Sequence, residues 1–378
     1  MQFADIQGLD QTKTSLIEAV RKDHVAHAQL FLGPEGSANL AMAIAFASYL
    51  NCEDPGEQDS CGQCPSCLKN QKYIHPDLHY VFPVSSTEKI HGKEVVSNNF
   101  LKEWRSFLEG NLYGDIADWS GVFGGENKNL NISKEESRAI IKKLSLKAFE
   151  GAYKVMIIWM PEYMHPSAAN GLLKVLEEPS NKTVFLLVAH DSEKLLGTIL
   201  SRIQKVLIRA FNDSEVQTQL VVAGVVPDKA SHIARLAAGN LKLALRLATE
   251  VEEDRVESFK EWMRLCYAQD YAKLVGWSDE FHKMTKISQR GFIRFGLSIM
   301  RDTLVAHYGD SHLIKLTEDE KEFVRKFSQV VTPEKIEPLT NLFSEALFHL
   351  TRNGSARMIF LDLALKVSKQ LKEVGIQN

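Results

Sequence analysis

Residues 154–209 read KVMIIWMPEYMHPSAANGLLKVLEEPSNKTVFLLVAHDSEKLLGTILSRIQKVLIR. Two apolar runs, Val155–Trp159 and Thr183–Ala189, are short, uninterrupted and rich in β-branched residues. That is the pattern of strands buried on both faces. Between them Ser167 is placed to cap a helix, Leu172, Leu173 and Leu176 share one face, and Pro179 ends it. Strand, helix, strand at this spacing is a crossover unit, so the two strands should be parallel. A third apolar run, Val206–Ile208, follows Ser201-Arg202. An arginine there is expected near the edge of an α/β domain, within reach of a neighbouring molecule.

Upstream, Leu30–Leu32 reads as a strand that runs into Gly33-Pro34-Glu35-Gly36-Ser37-Ala38-Asn39-Leu40 and then an apolar helix, Ala41–Leu50. The placement is that of a phosphate-binding loop, GxxxxGK[ST]. Gly33 and Gly36 preserve the turn, but the last three positions hold Ala38, Asn39 and Leu40. The lysine that reaches the β- and γ-phosphates is missing, and so is the hydroxyl that holds Mg²⁺. No hydrolysis is expected here, although backbone N–H groups leave room for weak nucleotide binding. Before this strand, Leu9, Thr12, Leu16, Ala19 and Val20 mark an amphipathic helix within 5–28, and His24 and His27 read as helix-end and loop residues.

Four of the five cysteines, Cys52, Cys61, Cys64 and Cys67, lie within sixteen residues. Clustered cysteines in a cytosolic chain favour a metal over disulfides. Four thiolates at this spacing can close a tetrahedral Zn²⁺ site, with Gly62 and Pro65 turning the chain between ligands. The CxxCxxC run also admits an iron–sulfur cluster. His75 is a weak rival ligand. The isolated Cys266 sits among apolar neighbours and reads as a core thiol. With 378 residues the chain suits two or three domains, and its net charge of −3 does not demand a nucleic-acid surface. The opening MQFADIQGLDQTK lacks a signal pattern, and no apolar run approaches a membrane span, so a cytoplasmic location with no membrane contact is expected.

Residues 78–81 read as a strand, and residues 83–131 as an irregular surface insertion rich in Ser, Asn, Gly and aromatics, with a short helix over 103–108. Ser133 and Glu136 form a capping box for the next helix, which Ile140, Ile141, Leu144 and Ala148 continue. Residues 212–249 hold three short helices, the first capped by Asn212 or Ser214. Residues 253–374 show long amphipathic helices, with faces at Phe292, Phe295, Ile299 and Met300, at Leu339, Leu342, Phe343, Ala346, Leu347 and Leu350, and from Leu361 and Leu365.

NGLLKVLEEP (170–179) followed by TILSR (198–202) resembles the AAA+ subunits of bacterial DNA polymerase III clamp loaders, over roughly the first 250 residues. The resemblance implies a RecA-like P-loop NTPase-type α/β domain with a parallel sheet over 1–210. Within it lie a zinc module at 52–67 and the insertion at 83–131. A small helical lid at 211–252 and an all-α collar at 253–378, which joins five subunits, would follow. Aligned on Asn170, Trp159 and Met160 stand where a hydrolysing member has Asp and Glu, with Glu162 displaced by two residues. Lys242 stands at the sensor 2 arginine. His75-Pro76-Asp77 matches a structural motif after the zinc module. Arg202, with Ser201, matches the Ser-Arg-Cys arginine that reaches a nucleotide on the adjacent subunit, with Ile203 in place of Cys.

Lost Walker motifs beside a kept zinc module and Ser-Arg pair fit the delta-prime branch of that family. The resemblance implies gamma/tau and delta subunits of the DNA polymerase III holoenzyme as partners. Primer-template DNA and the sliding clamp would be met through the complex. Zn²⁺ would be structural, and no bound ATP required. Two other functions stay open: an ATP-hydrolysing gamma/tau-like AAA+ subunit, and a zinc-containing DNA-binding module.

Overall fold

The computed structural model describes residues 1–125, 128–249, 255–308, 318–352 and 354–372. Five strands, β1 (Ala28–Leu32), β2 (Leu78–Val81), β3 (Lys154–Trp159), β4 (Thr183–Ala189) and β5 (Gln204–Leu207), form one sheet in the order β2-β3-β4-β1-β5. All four pairings are parallel. Every residue of β3 and β4 is buried, whereas the edge strand β5 is largely exposed. The helix Asn39–Leu50 is buried along its whole length and packs on β1, β3 and β4. Ile140, Leu144, Leu172 and Leu176, from the helices Lys134–Leu144 and Pro166–Glu177, share a core with Met156, Ile158, Phe185 and Leu187 of the sheet.

Several local expectations shift by a residue or a partner. The helix between β3 and β4 starts at Pro166, and His165 rather than Ser167 caps it, its Nδ1 accepting from Ser167 N at 3.2 Å. Proline at the first helical position holds the preceding residue extended, which sets the boundary. Ser133 does cap the helix Lys134–Leu144, accepting from Glu136 N. Glu136 does not reach back, however: its buried carboxylate accepts from Ser97 N at 2.6 Å and Ser97 Oγ at 3.0 Å. Asn212 caps the helix Asp213–Val222, its Oδ1 accepting from Glu215 N at 2.8 Å.

The largest departure is the 83–131 segment, which is neither irregular nor peripheral. It carries the helices Leu101–Gly110 and Ile116–Phe123, the second opened by a capping box of Asp115 and Asp118. Its ends are clipped together by paired hydrogen bonds between Val84 and Asn131, at 3.0 and 3.1 Å. Trp104, Phe107 and Trp119 are fully buried. Trp104 stacks on Phe82 with centroids 4.2 Å apart and lies 5.2 Å from Trp159 at the end of β3. The Trp119 indole N–H donates to Pro83 O at 2.7 Å, so the cluster leaves that donor satisfied.

The described residues divide into two compact units, Met1–Val216 with Gly239–Lys242, and Gln217–Ala238 with the described residues from Leu243 onward. The second unit contains the helices Pro227–Ala237, Arg255–Ala268, Tyr271–Lys283, Lys286–His307, Glu318–Phe327, Pro333–Thr351 and Ala356–Lys372. Phe259, Trp262, Phe281, Phe292, Phe343 and Phe360 build its core, with Phe281 and Phe360 stacked at 3.9 Å. Phe292, Phe295, Ile299 and Met300 are buried, as are Leu339, Phe343, Ala346 and Leu350. In the last helix the buried face is Phe360, Leu363, Ala364, Val367 and Leu371. Leu365 is 44% exposed, so the stripe expected from Leu361 and Leu365 is rotated. Cys266 is buried, and burial pushes its thiol up to about 12. Among the described residues no helix is long and apolar enough to cross a membrane.

Trp159 joins the sheet to the inserted helices, so truncating it should empty a large aromatic site. Trp159→Ala should cost about 3–5 kcal/mol in denaturant unfolding and diminish the near-ultraviolet circular dichroism, whereas Trp159→Phe should retain most of both.

Candidate functional site

The Gly33–Ala38 loop leaves β1 and delivers the chain to the helix Asn39–Leu50. Two glycines permit it. A Cβ at Gly33 would lie 2.5 Å from Ile208 O, and Gly36 has φ +73° with Asn240 Oδ1 2.0 Å from where a Cβ would stand. Leu241 N also donates to Gly36 O at 3.1 Å. The loop is therefore covered by residues 240–241 of the same unit.

Asn39, at the position of the phosphate-binding lysine, is buried and bonded inward. Its amide nitrogen donates to Ala189 O at 3.2 Å and Gly33 O at 3.4 Å and lies 3.1 Å from His190 Nδ1. Its side-chain oxygen accepts from Leu40 N at 2.8 Å. An amide of this length ties the loop to the end of β4, where a lysine would extend outward. Trp159 and Met160 are buried at the end of β3. Glu162 turns its Oε1 to His190 N at 2.7 Å and Asp191 N at 3.1 Å, which fixes the turn after β4. Lys242 is 11% exposed and pairs with Asp115 and, at 2.7 Å, with Asp118. Both carboxylates belong to the inserted helix and its cap. None of these partners follows from local sequence pattern, because each is set by the tertiary fold.

Arg202 lies in the turn after the short helix Gly197–Leu200. Its Nε donates to Glu177 Oε1 at 2.6 Å, and Nη2 contacts the same oxygen. Nη1 donates to Thr198 O at 2.8 Å and Ser201 Oγ at 2.9 Å. None of these groups belongs to the Gly33–Asn39 loop. Glu177, the last residue of the Pro166–Glu177 helix, is a partner that sequence reasoning missed. Its place in LEEP carried no sign of an ion pair.

The four clustered cysteines meet. Their sulfurs all lie within 4.8 Å of one another, close enough to hold a single metal ion. Tetrahedral Zn–S bonds of 2.3 Å would set the sulfurs about 3.8 Å apart, and Cys61 and Cys67 already stand at 3.9 Å. Backbone N–H groups of Cys61, Cys64 and Cys67 point at the sulfurs of Cys52, Cys61 and Cys64, at 3.2, 3.3 and 3.4 Å. The donor set suits thiolates bound to a cation. N–H groups of Gln63 and Cys64 pull the Cys61 thiol down to about 7, while burial pushes Cys52 and Cys67 up. A cation is what would deprotonate the latter two at neutral pH. His75 is not in the quartet. It is buried and its Nδ1 accepts from Asp77 N at 3.2 Å. The Asp77 carboxylate takes the N–H groups of Phe149, Glu150 and Gly151 at 2.6, 2.8 and 2.7 Å. His24 and His27 are exposed and also lie outside the quartet.

One equivalent of divalent metal added to metal-free chain should protect residues 52–67 from protease, and Cys64→Ser with Cys67→Ser should abolish that protection, read by mass spectrometry of the fragments. Lys242→Ala should lower stability by about 2 kcal/mol in denaturant melts, because it leaves two largely buried carboxylates, each still holding capping-box N–H groups, without their cation. Adding Asp118→Asn should restore part of the loss.

Residues 8–212 match the family described as DNA polymerase III, delta subunit. The DNA polymerase III subunit delta' of Bacillus subtilis is 27% identical over 65% of this chain and 59% of its own length. The subunit of the same name from Pseudomonas aeruginosa is 30% identical over 53% of this chain and 48% of its own. The chain thus aligns with roughly half to three-fifths of each relative. A gamma subunit-related protein from Thermotoga maritima overlays 94% of this chain and all of its own, at 13% identity and a TM-score of 0.40, too loose a likeness to bear on the assignment. The family match spans more than half of the described fold's sequence, the whole of the sheet included, and the chain belongs to the DNA polymerase III delta-subunit family, on its delta-prime branch.

Proposed function

We propose that this chain is a non-hydrolysing clamp-loader subunit that lends Arg202 to the ATP site of a neighbouring gamma/tau subunit and so helps to load the sliding clamp on primed DNA. The observation that carries it is the internal use of the nucleotide-facing positions. Asn39 is bonded into the loop, Trp159 lies in an aromatic core, and Lys242 is neutralised by Asp115 and Asp118. A metal-binding Asp or water-orienting Glu could not ionise in the apolar surroundings of Trp159 without a large desolvation cost. Arg202 keeps a permanently charged planar fork on a partly exposed surface, the form of cation that meets phosphate oxygens in pairs.

In this reading the four cysteines hold structural Zn²⁺, which orders a segment too small to form its own core. A single ion suits sulfurs this close better than a multi-iron cluster. The helices around 211–252 serve as a lid and those of 253–378 as a collar that joins gamma/tau and delta subunits in the cytoplasm. The DNA polymerase III names of the relatives support the assembly, and the Ser201-Arg202 pair supports the trans role.

The test is a reconstituted complex with gamma/tau and delta subunits and primed DNA. Arginine fingers are worth about 10³–10⁵ in rate at the site they serve. Arg202→Ala should leave assembly intact on gel filtration and lower DNA-stimulated ATP turnover, with the sites served by other subunits setting the residual rate. The chain alone should show no turnover. An unchanged ATPase in the variant complex rejects the trans role, and robust turnover by the lone chain favours the gamma/tau-like alternative.

A further inference from the structure

We propose that Glu177 is a latch for Arg202, holding the guanidinium within its own subunit until a phosphate on the neighbouring subunit takes the carboxylate's place. The inference rests on the trans role given to Arg202 above and specifies how that role is restrained.

The guanidinium has two edges in this structure. Nη1 is fixed locally, by Thr198 O four residues back and by Ser201 Oγ next door. The Nε/Nη2 edge faces Glu177, twenty-five residues away in sequence, and both nitrogens converge on Oε1. This second edge is the one that can grip a planar or tetrahedral oxyanion with two parallel bonds. Using one oxygen for both donors is a poorer match than the two-oxygen fork that a phosphate offers. Glu177 also ends its helix, where the backbone dipole adds negative potential for the cation.

Exposure makes the contact exchangeable. The Arg202 side chain is 31% exposed and that of Glu177 47%. Water screens such a pair, and exposed pairs shift equilibria by only about two- to fivefold. A phosphate carries more charge than a carboxylate and displaces it. Exchange at the Nε/Nη2 edge does not require breaking the Thr198 and Ser201 bonds, so the inner nitrogen can keep the guanidinium aimed while its outer edge changes partner. Glu177 is thereby a positioning residue, acting only through Arg202.

The test is steady-state ATPase against ATP concentration in the reconstituted complex, for wild type, Glu177→Gln, Arg202→Ala and the double variant. The latch predicts that Glu177→Gln lowers the KM for ATP about two- to fivefold with kcat held within about twofold, because no carboxylate competes with the phosphate. In the Arg202→Ala background the same change should do nothing. A fall in kcat without a fall in KM, no change in either, or an effect that persists without Arg202 overturns the latch. If Arg202→Ala alone leaves kcat untouched, the trans role fails first, whatever Glu177 does.

Discussion

The apolar enclosure of Trp159 constrains this molecule more than any other contact. The end of a buried parallel strand is where a P-loop fold holds its metal-binding carboxylate, and such a group functions only when water, metal or phosphate can reach it. Here that strand end is closed by Trp104 and Phe107, 5.2 and 5.4 Å away centroid to centroid, with Trp119 against Trp104. An ionised side chain in that space would need a partner that the aromatic rings cannot supply. The inserted helices and the indole at the strand end are therefore one feature. The insertion supplies the rings, and the strand supplies the face they cover.

The polar groups around the loop follow the same logic. A buried donor or acceptor must find a partner, and where no ligand is required the protein provides it. Asn39 reaches carbonyls of β1's loop and of β4, Glu162 takes two N–H groups beyond β4, and Lys242 takes two carboxylates from the inserted helix. Asn240 and Leu241 lie on the loop itself. Ser37 Oγ, Glu162 Oε2 and His190 Nε2 remain buried without a protein partner, so the internal bonding covers the lysine-equivalent Asn39 and Lys242 but not every polar atom at the loop.

Much of the scaffold was legible because it rests on local pattern. The central strands β3 and β4 announced themselves by uninterrupted apolar runs rich in β-branched residues, and the cysteine quartet by spacing alone. The insertion was misread because its composition, rich in Ser, Asn and Gly, hid an aromatic periodicity: Trp104, Phe107 and Leu108 fall three and four residues apart and are all buried. The helix after Ser133 shows a second limit. Its acidic residue at the third position had the right spacing for a capping box, but Ser97, brought close only by the fold, offers two donors to its carboxylate. His165 displaced Ser167 as cap because proline fixed the boundary two residues earlier. In the last helix a shift of the stripe by one or two positions exposed Leu365, an error that periodicity cannot detect when leucines and alanines alternate on both faces. Long-range ion pairs, Lys242 to Asp115 and Asp118 and Arg202 to Glu177, leave no trace in sequence at all.

Those two ion pairs also separate what is fixed from what can exchange. Lys242 and Asp118 are 11% and 10% exposed, so breaking their bond strands charges away from water. Arg202 and Glu177 stand in a wetter setting, where solvent can take over either partner at little cost. Held at the surface by two local bonds and one exposed carboxylate, Arg202 is a cation whose outer partner can exchange without disturbing the core beneath, which is what the proposed trans role requires.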